Sequence, residues 1–102
     1  MARFGRVVTA MVTPFKDDHS LNVDRAQQVA RWLVDHGTDA LVVSGSTGEA
    51  ATLTDEEKGT LFRAVIEAVE GQAPVIAGTG TYDTAHSLHL TEDAARAGAD
   101  AL

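Results

Sequence analysis

Cysteine is absent from this 102-residue chain. There is no disulfide frame and no thiolate metal site, a composition that suits the reducing cytoplasm, which is the expected location. No stretch reaches the run of about 18 apolar residues that a membrane span needs, so no membrane partner is expected. Arg3 and Arg6 precede no continuous apolar segment, which argues against a secretory leader. Aromatic residues are few, with three Phe, one Trp and one Tyr. Basic residues are few as well: eight Lys and Arg stand against 15 Asp and Glu, for a net charge of −7. A chain so acidic, with its basic residues scattered, lacks the electrostatic footprint of a nucleic-acid partner.

What remains is ordinary for a soluble globular protein: 44% hydrophobic and 23% charged residues, in a length of at most one domain. Residues 7–12 form a short apolar run that Pro14 ends, since proline cannot donate to a strand ladder. Ser20 offers a helix cap, followed by Val23, Ala26, Val29, Ala30, Leu33 and Val34 at helical spacing and a stop at Gly37. Residues 40–43 make a second apolar run. Thr54 opens a helix with a capping box to Glu57, and Asp55, Glu56 and Glu57 favour the positive end of its dipole. Leu61, Phe62, Val65, Ile66 and Val69 form its buried stripe, and Gly71 ends it. Residues 74–77 read as a third strand. Asp83 or Thr84 caps a third helix carrying Ala85, Leu88, Ala94, Ala95 and Ala97, which Gly98 stops. Ala101 and Leu102 begin a further apolar stretch.

This β-α-β-α-β-α-β order repeats at roughly 30 residues, the size of a βα unit. The chain echoes itself: Gly37-Thr-Asp-Ala-Leu41 resembles Gly98-Ala-Asp-Ala-Leu102. Apolar runs without alternation predict a parallel sheet covered by helices. Both an open doubly wound sheet and a (β/α)8 barrel fit. A barrel needs about eight strands and about 250 residues, so three and a half units imply the N-terminal portion, 1–102, of a longer single-domain protein.

Chemistry is expected in the loops after the strands, which face the ligand in parallel βα folds. The first is Ser44-Gly-Ser-Thr-Gly-Glu49 and the second Gly78-Thr-Gly-Thr81. Gly45 and Gly48 allow close backbone approach and positive φ, exposed amides bind anions, and Ser46 and Thr47 add hydroxyl donors. The first loop matches neither a Walker loop, a dinucleotide fingerprint nor a nucleophile elbow. A small carboxylate or phosphate site and a plain strand-to-helix connection both remain. Glu49 is either a general base or a charge for the following helix N-terminus. His86 and His89 share a helix face, but no acidic residue completes a zinc motif, so no metal site is expected and both read as solvated. Lys16 reads as part of a charged turn and Lys58 as a solvated residue in the first turns of the second helix.

Gly45-Ser-Thr-Gly-Glu49, with Ala51-Thr-Leu-Thr-Asp-Glu-Glu-Lys58 close behind, resembles the signature of the dihydrodipicolinate synthase / N-acetylneuraminate lyase family. Thr9-Ala-Met-Val-Thr-Pro-Phe15 is similar to that family's first strand and turn, and Pro74-Val-Ile-Ala-Gly-Thr-Gly80 with Asp83-Thr-Ala85 to its third strand and loop. The resemblance implies a (β/α)8 barrel, of which this chain supplies the first three βα units and the start of strand 4. It implies a cytoplasmic homotetramer in which pyruvate forms a Schiff base with a lysine, without a separate cofactor. In the synthase branch the second substrate is L-aspartate 4-semialdehyde, on the route to diaminopimelate and lysine.

On the same resemblance Thr47 binds the pyruvate carboxylate with help from the amides of Gly45 and Gly48, and Ser46 stands in a proton relay with two tyrosines. Many synthases carry threonine where Ser46 stands, whereas Ala77-Gly-Thr-Gly80 is similar to the synthases and unlike the lyases. A sialic-acid lyase, a 2-keto-3-deoxy sugar acid aldolase and a non-catalytic half-barrel are the alternatives. Lys58 and His86 occupy the places of a histidine and a glutamate that hold the inhibitor in lysine-inhibited members, which implies weak feedback by lysine. The Schiff-base lysine and the relay tyrosines belong beyond Leu102, so these 102 residues alone would be inactive; Tyr82 lies outside those motifs.

Overall fold

The computed structural model describes residues 3–102. Its elements run β1 (Val8–Ala10), α1 (Val23–Asp35), β2 (Ala40–Val43), a 3₁₀ turn (Ala50–Thr52), α2 (Asp55–Val69), β3 (Val75–Ala77) and α3 (Thr84–Ala97). The three strands form one parallel sheet in the order β1-β2-β3, with Thr9 opposite Leu41 and Val42 opposite Ile76. A single parallel bridge between Ile76 and Ala101 starts a fourth strand beside β3. This is the α/β architecture of three βα units and the beginning of the next.

Helix ends follow local chemistry. Thr54 accepts from the Glu57 amide at 3.1 Å while the Glu57 carboxylate accepts from the Thr54 amide at 2.9 Å, closing the expected capping box. Asp83 is the cap of α3, its Oδ1 accepting from the Ala85 amide at 3.0 Å. The cap of α1 is Asn22 and not Ser20. Ser20 instead gives its amide and hydroxyl to Asp18, within a turn bridged by Phe15 and Leu21.

One face of the sheet meets the helices. Met11, Leu41, Val43, Val75 and Ala77 pack with Ala26 and Ala30 of α1 and with Leu61, Phe62, Val65 and Val69 of α2. On α3 the inward residues are Leu90, Ala94 and Ala97, while Leu88 is exposed, as are Ala85 and Ala95. The sequence offers two leucines two positions apart, and only the seating of α3 against α2 selects Leu90. Nor are all strands equally covered: β2 is largely buried between its neighbours, whereas Val8 of β1 is 42% exposed.

The internal echo has a structural role. Asp39, just before β2, accepts from the Arg6 and Val7 amides through Oδ2, each at 2.8 Å. Asp100, just before the fourth-strand bridge, accepts from the Val75 amide at 2.9 Å. Each aspartate satisfies the amide at the entry of the preceding strand in the sheet.

The Val7 and Arg6 amides hold the Asp39 carboxyl below its ordinary range. A carboxyl whose folded pKa is depressed adds stability that is fully present above its unfolded pKa and lost as pH falls through the folded one. The thermal-midpoint difference between the natural protein and Asp39→Asn should therefore be largest near neutral pH and close as pH drops below the carboxylate range. A difference independent of pH would show that the charge on Asp39 contributes nothing.

Candidate functional site

The loop from Ser44 to Glu49 leaves β2 at its C-terminal end and doubles back as a tight turn. The Glu49 amide donates to the Ser46 carbonyl at 3.0 Å, and the Ala50 amide donates to the Gly45 carbonyl at 3.2 Å. Thr47 and Gly48 thus occupy the corner of a four-residue turn. No described residue accepts a hydrogen bond from the amides of Ser46, Thr47 or Gly48, and the Ser46 and Thr47 hydroxyls likewise contact no described polar partner. Three backbone amides and two side-chain hydroxyls without a described acceptor thus fall within three consecutive residues, the donor chemistry that anion sites use.

Of the two uses expected of the glycines, close approach holds and positive φ does not. Neither Gly45 nor Gly48 has positive φ; that conformation falls on Ser44 at 60° and Glu49 at 58°, the residues that bracket the turn. Crowding is what favours glycine here. A Cβ on Gly48 would lie 3.1 Å from the Met11 carbonyl oxygen and 3.2 Å from Ser44 Cα, and one on Gly45 would lie 3.3 Å from Val42 Cγ1. Ser44 is buried and its hydroxyl has no hydrogen-bond partner among the described residues. A non-glycine residue in left-handed backbone, with an unpaired buried hydroxyl, is the strained kind of position that gathers at functional sites.

The second loop seats against the first. Gly78 donates its amide to the Val43 carbonyl at 2.8 Å, and a Cβ on it would fall 2.2 Å from the Ser44 carbonyl oxygen. Only glycine fits there. Thr79 accepts a hydrogen bond from the Thr91 hydroxyl at 3.2 Å, and Thr81 shares one with Ser87 at 2.9 Å, tying this loop to α3.

Between the two loops and α2 opens a cavity of about 640 Å³ whose lining includes Ser46, Glu49, Lys58, Thr81, Tyr82 and His86. Lys58 is only 6% exposed, contrary to the solvated position expected from its place in the helix. It stands in the first turn of α2 and belongs to the lining of this cavity. His86 is drawn to α2 by Asp55, with Nε2 2.7 Å from a carboxylate oxygen. His89 faces Asp93 at 3.2 Å on its own helix. The two histidines thus serve separate carboxylates. Glu49 is exposed, and its carbonyl accepts from the Thr52 hydroxyl at 2.9 Å. Thr13 was missed: buried, it donates its hydroxyl to the Gly48 carbonyl at 2.6 Å. Its position just after β1, at the same end of the sheet as the loops, was the available signal.

The model of the dihydrodipicolinate synthetase family matches residues 3–102. The chain is 58% identical, over 97% of its length, to the 4-hydroxy-tetrahydrodipicolinate synthase of Desulforamulus reducens, and spans 33% of that relative. It thus covers about a third of the length of the curated relatives it matches. Its structure superposes on a dihydrodipicolinate synthase from Bacillus anthracis with a TM-score of 0.94 at 45% identity, covering 98% of this chain and 34% of the other. The enzyme from Acinetobacter baumannii, solved in complex with pyruvate, matches with a TM-score of 0.89 at 34% identity over 92% of this chain and 32% of its own. With the fold, the loop and the sequence in agreement over nearly every residue, the chain belongs to the dihydrodipicolinate synthase family.

Proposed function

We propose that these residues are the N-terminal third of a 4-hydroxy-tetrahydrodipicolinate synthase, which condenses pyruvate with L-aspartate 4-semialdehyde in the making of diaminopimelate and lysine. The observation that carries this is the turn at the end of β2. It holds three amides and two hydroxyls with no described acceptor, in a chain whose relatives bear that name and one of whose structural neighbours was solved with pyruvate. A carboxylate accepting from Thr47 Oγ1 and the turn amides would be fixed by charge-assisted hydrogen bonds. Its keto carbon would then face the barrel axis, where a lysine outside these residues attacks it. The amine adds to the carbonyl, water leaves, and loss of a C3 proton gives the enamine that attacks the aldehyde. Ser46, whose hydroxyl both accepts and donates, is assigned to pass that proton between groups supplied by the rest of the barrel. The reading calls for no metal and no organic cofactor, and for a homotetramer in the cytoplasm.

Borohydride reduction of the complete protein in the presence of pyruvate should attach the reduced adduct to one lysine other than Lys16 and Lys58. No adduct, or one on either of these two, overturns the assignment. Turnover with aspartate semialdehyde, compared with cleavage of sialic acid or a 2-keto-3-deoxy sugar acid, identifies the second substrate.

Thr47→Val should lower kcat/KM for pyruvate by roughly 1.5–3 kcal/mol of transition-state stabilisation, the worth of a hydrogen bond to a charged group. Ser46→Ala should reduce kcat more than it raises the pyruvate KM. Unchanged turnover in Ser46→Ala would remove Ser46 from the relay.

The cavity beside Ser46 presents the buried Lys58 ammonium, and His86 already engages Asp55. A cationic side chain entering there meets a like charge in a partly desolvated setting. Added L-lysine should therefore leave the condensation rate unchanged, as read by initial rates at subsaturating pyruvate; strong inhibition would contradict this.

A further inference from the structure

Thr13 lies outside every motif that marks the binding turn, 35 residues from Gly48, yet its hydroxyl reaches that turn. It is 5% exposed, and its hydroxyl hydrogen bond to the Gly48 carbonyl is 2.6 Å long. The bond bears on a particular peptide plane. The Gly48 carbonyl and the Glu49 amide belong to one rigid unit. The amide end of that unit closes the turn onto the Ser46 carbonyl at 3.0 Å, with Thr47 at the corner. Thr13 grips the opposite end.

Thr13 is itself well anchored. Met11, two residues earlier, donates to the Val42 carbonyl at 3.0 Å and so extends the pairing of β1 with β2. Pro14, one residue later, accepts from the Asn22 amide at 3.0 Å, and Asn22 caps α1. The Met11 carbonyl oxygen lies 3.1 Å from where a Cβ on Gly48 would stand. A segment fixed to the sheet and to α1 therefore holds the carbonyl end of a peptide that the turn itself holds only by its amide. Gly48 is buried, so without Thr13 its carbonyl would need another donor.

We propose that Thr13 is a positioning residue for pyruvate: by fixing the Gly48–Glu49 peptide it holds Thr47 and the turn amides at the spacing that a carboxylate requires. This rests on the assignment of Thr47 to the pyruvate carboxylate. A donor displaced by a fraction of an ångström loses binding while leaving the reactive amine and the relay in place.

The test uses the complete enzyme. Thr13→Val keeps the shape and deletes the donor, and should raise the pyruvate KM about tenfold with kcat held within about twofold, while Thr13→Ser restores the natural KM. Thr13→Cys, with a comparable volume and only a weak S–H donor, should raise KM several-fold and serves if the valine variant does not fold. Thr47→Val and the double variant are measured alongside. Because both residues act on one set of contacts, the double variant should show less than the product of the single effects. A raised KM in Thr47→Val with an unchanged KM in Thr13→Val or Thr13→Cys overturns this proposal alone. So do purely multiplicative effects, or a fall in kcat at constant KM. An unchanged KM in Thr47→Val overturns both the carboxylate assignment and the role of Thr13.

Discussion

Everything at the C-terminal end of this sheet depends on how closely three backbones approach one another. The parallel register places the ends of β1, β2 and β3 side by side, and the segments that leave them are nearly in contact. Gly48 fits beneath the Met11 carbonyl, and Gly78 against the Ser44 carbonyl, with no space for a β-carbon at Gly78 and little at Gly48. Close-packed interiors do not deform gradually. The turn between Ser44 and Glu49 is consequently set by its neighbours as much as by its own sequence, and left-handed backbone at Ser44 and Glu49 persists because the surroundings over-determine it.

That crowding accounts for the distribution of donors. The turn spends the Glu49 and Ala50 amides on its own carbonyls. Thr13 satisfies the buried Gly48 carbonyl. What is left over is the set of amides and hydroxyls of residues 46–48, for which no described residue is an acceptor. On the proposed reading these are the groups that take the pyruvate carboxylate.

The helices stabilise this arrangement from behind. The capping box of α2 fixes where that helix starts, and so places Lys58 at the cavity and Asp55 within reach of His86. The Asp55–His86 contact joins α2 to α3, while Thr79 and Thr81 tie the second loop down to α3. Asp39 and Asp100 do comparable work at the other end of the sheet, each accepting from the amide at the entry of the preceding strand. The repeated Asp-Ala-Leu motif thus serves the first pairing and the last, and the β2–β3 pairing forms without it.

Much of this was legible in the chain alone, for reasons that are local. The capping box, the Asp83 cap and the glycine stops at Gly37, Gly71 and Gly98 are decided by residues within a turn of one another. The βα period and the apolar runs follow from repeated short-range patterning, and the Gly45–Glu49 turn carries its family's signature in consecutive residues. Other features needed the tertiary structure, because they depend on distant residues meeting. The choice of Leu90 over Leu88 depends on how α3 lies on α2. The burial of Lys58 depends on tertiary packing around the start of α2, and the hold of Thr13 on Gly48 depends on β1 and β2 being paired in register. The glycines show the division most plainly. At Gly48 and Gly78 the need for glycine comes from the Met11 and Ser44 carbonyls, on segments that leave other strands, and no local pattern encodes that.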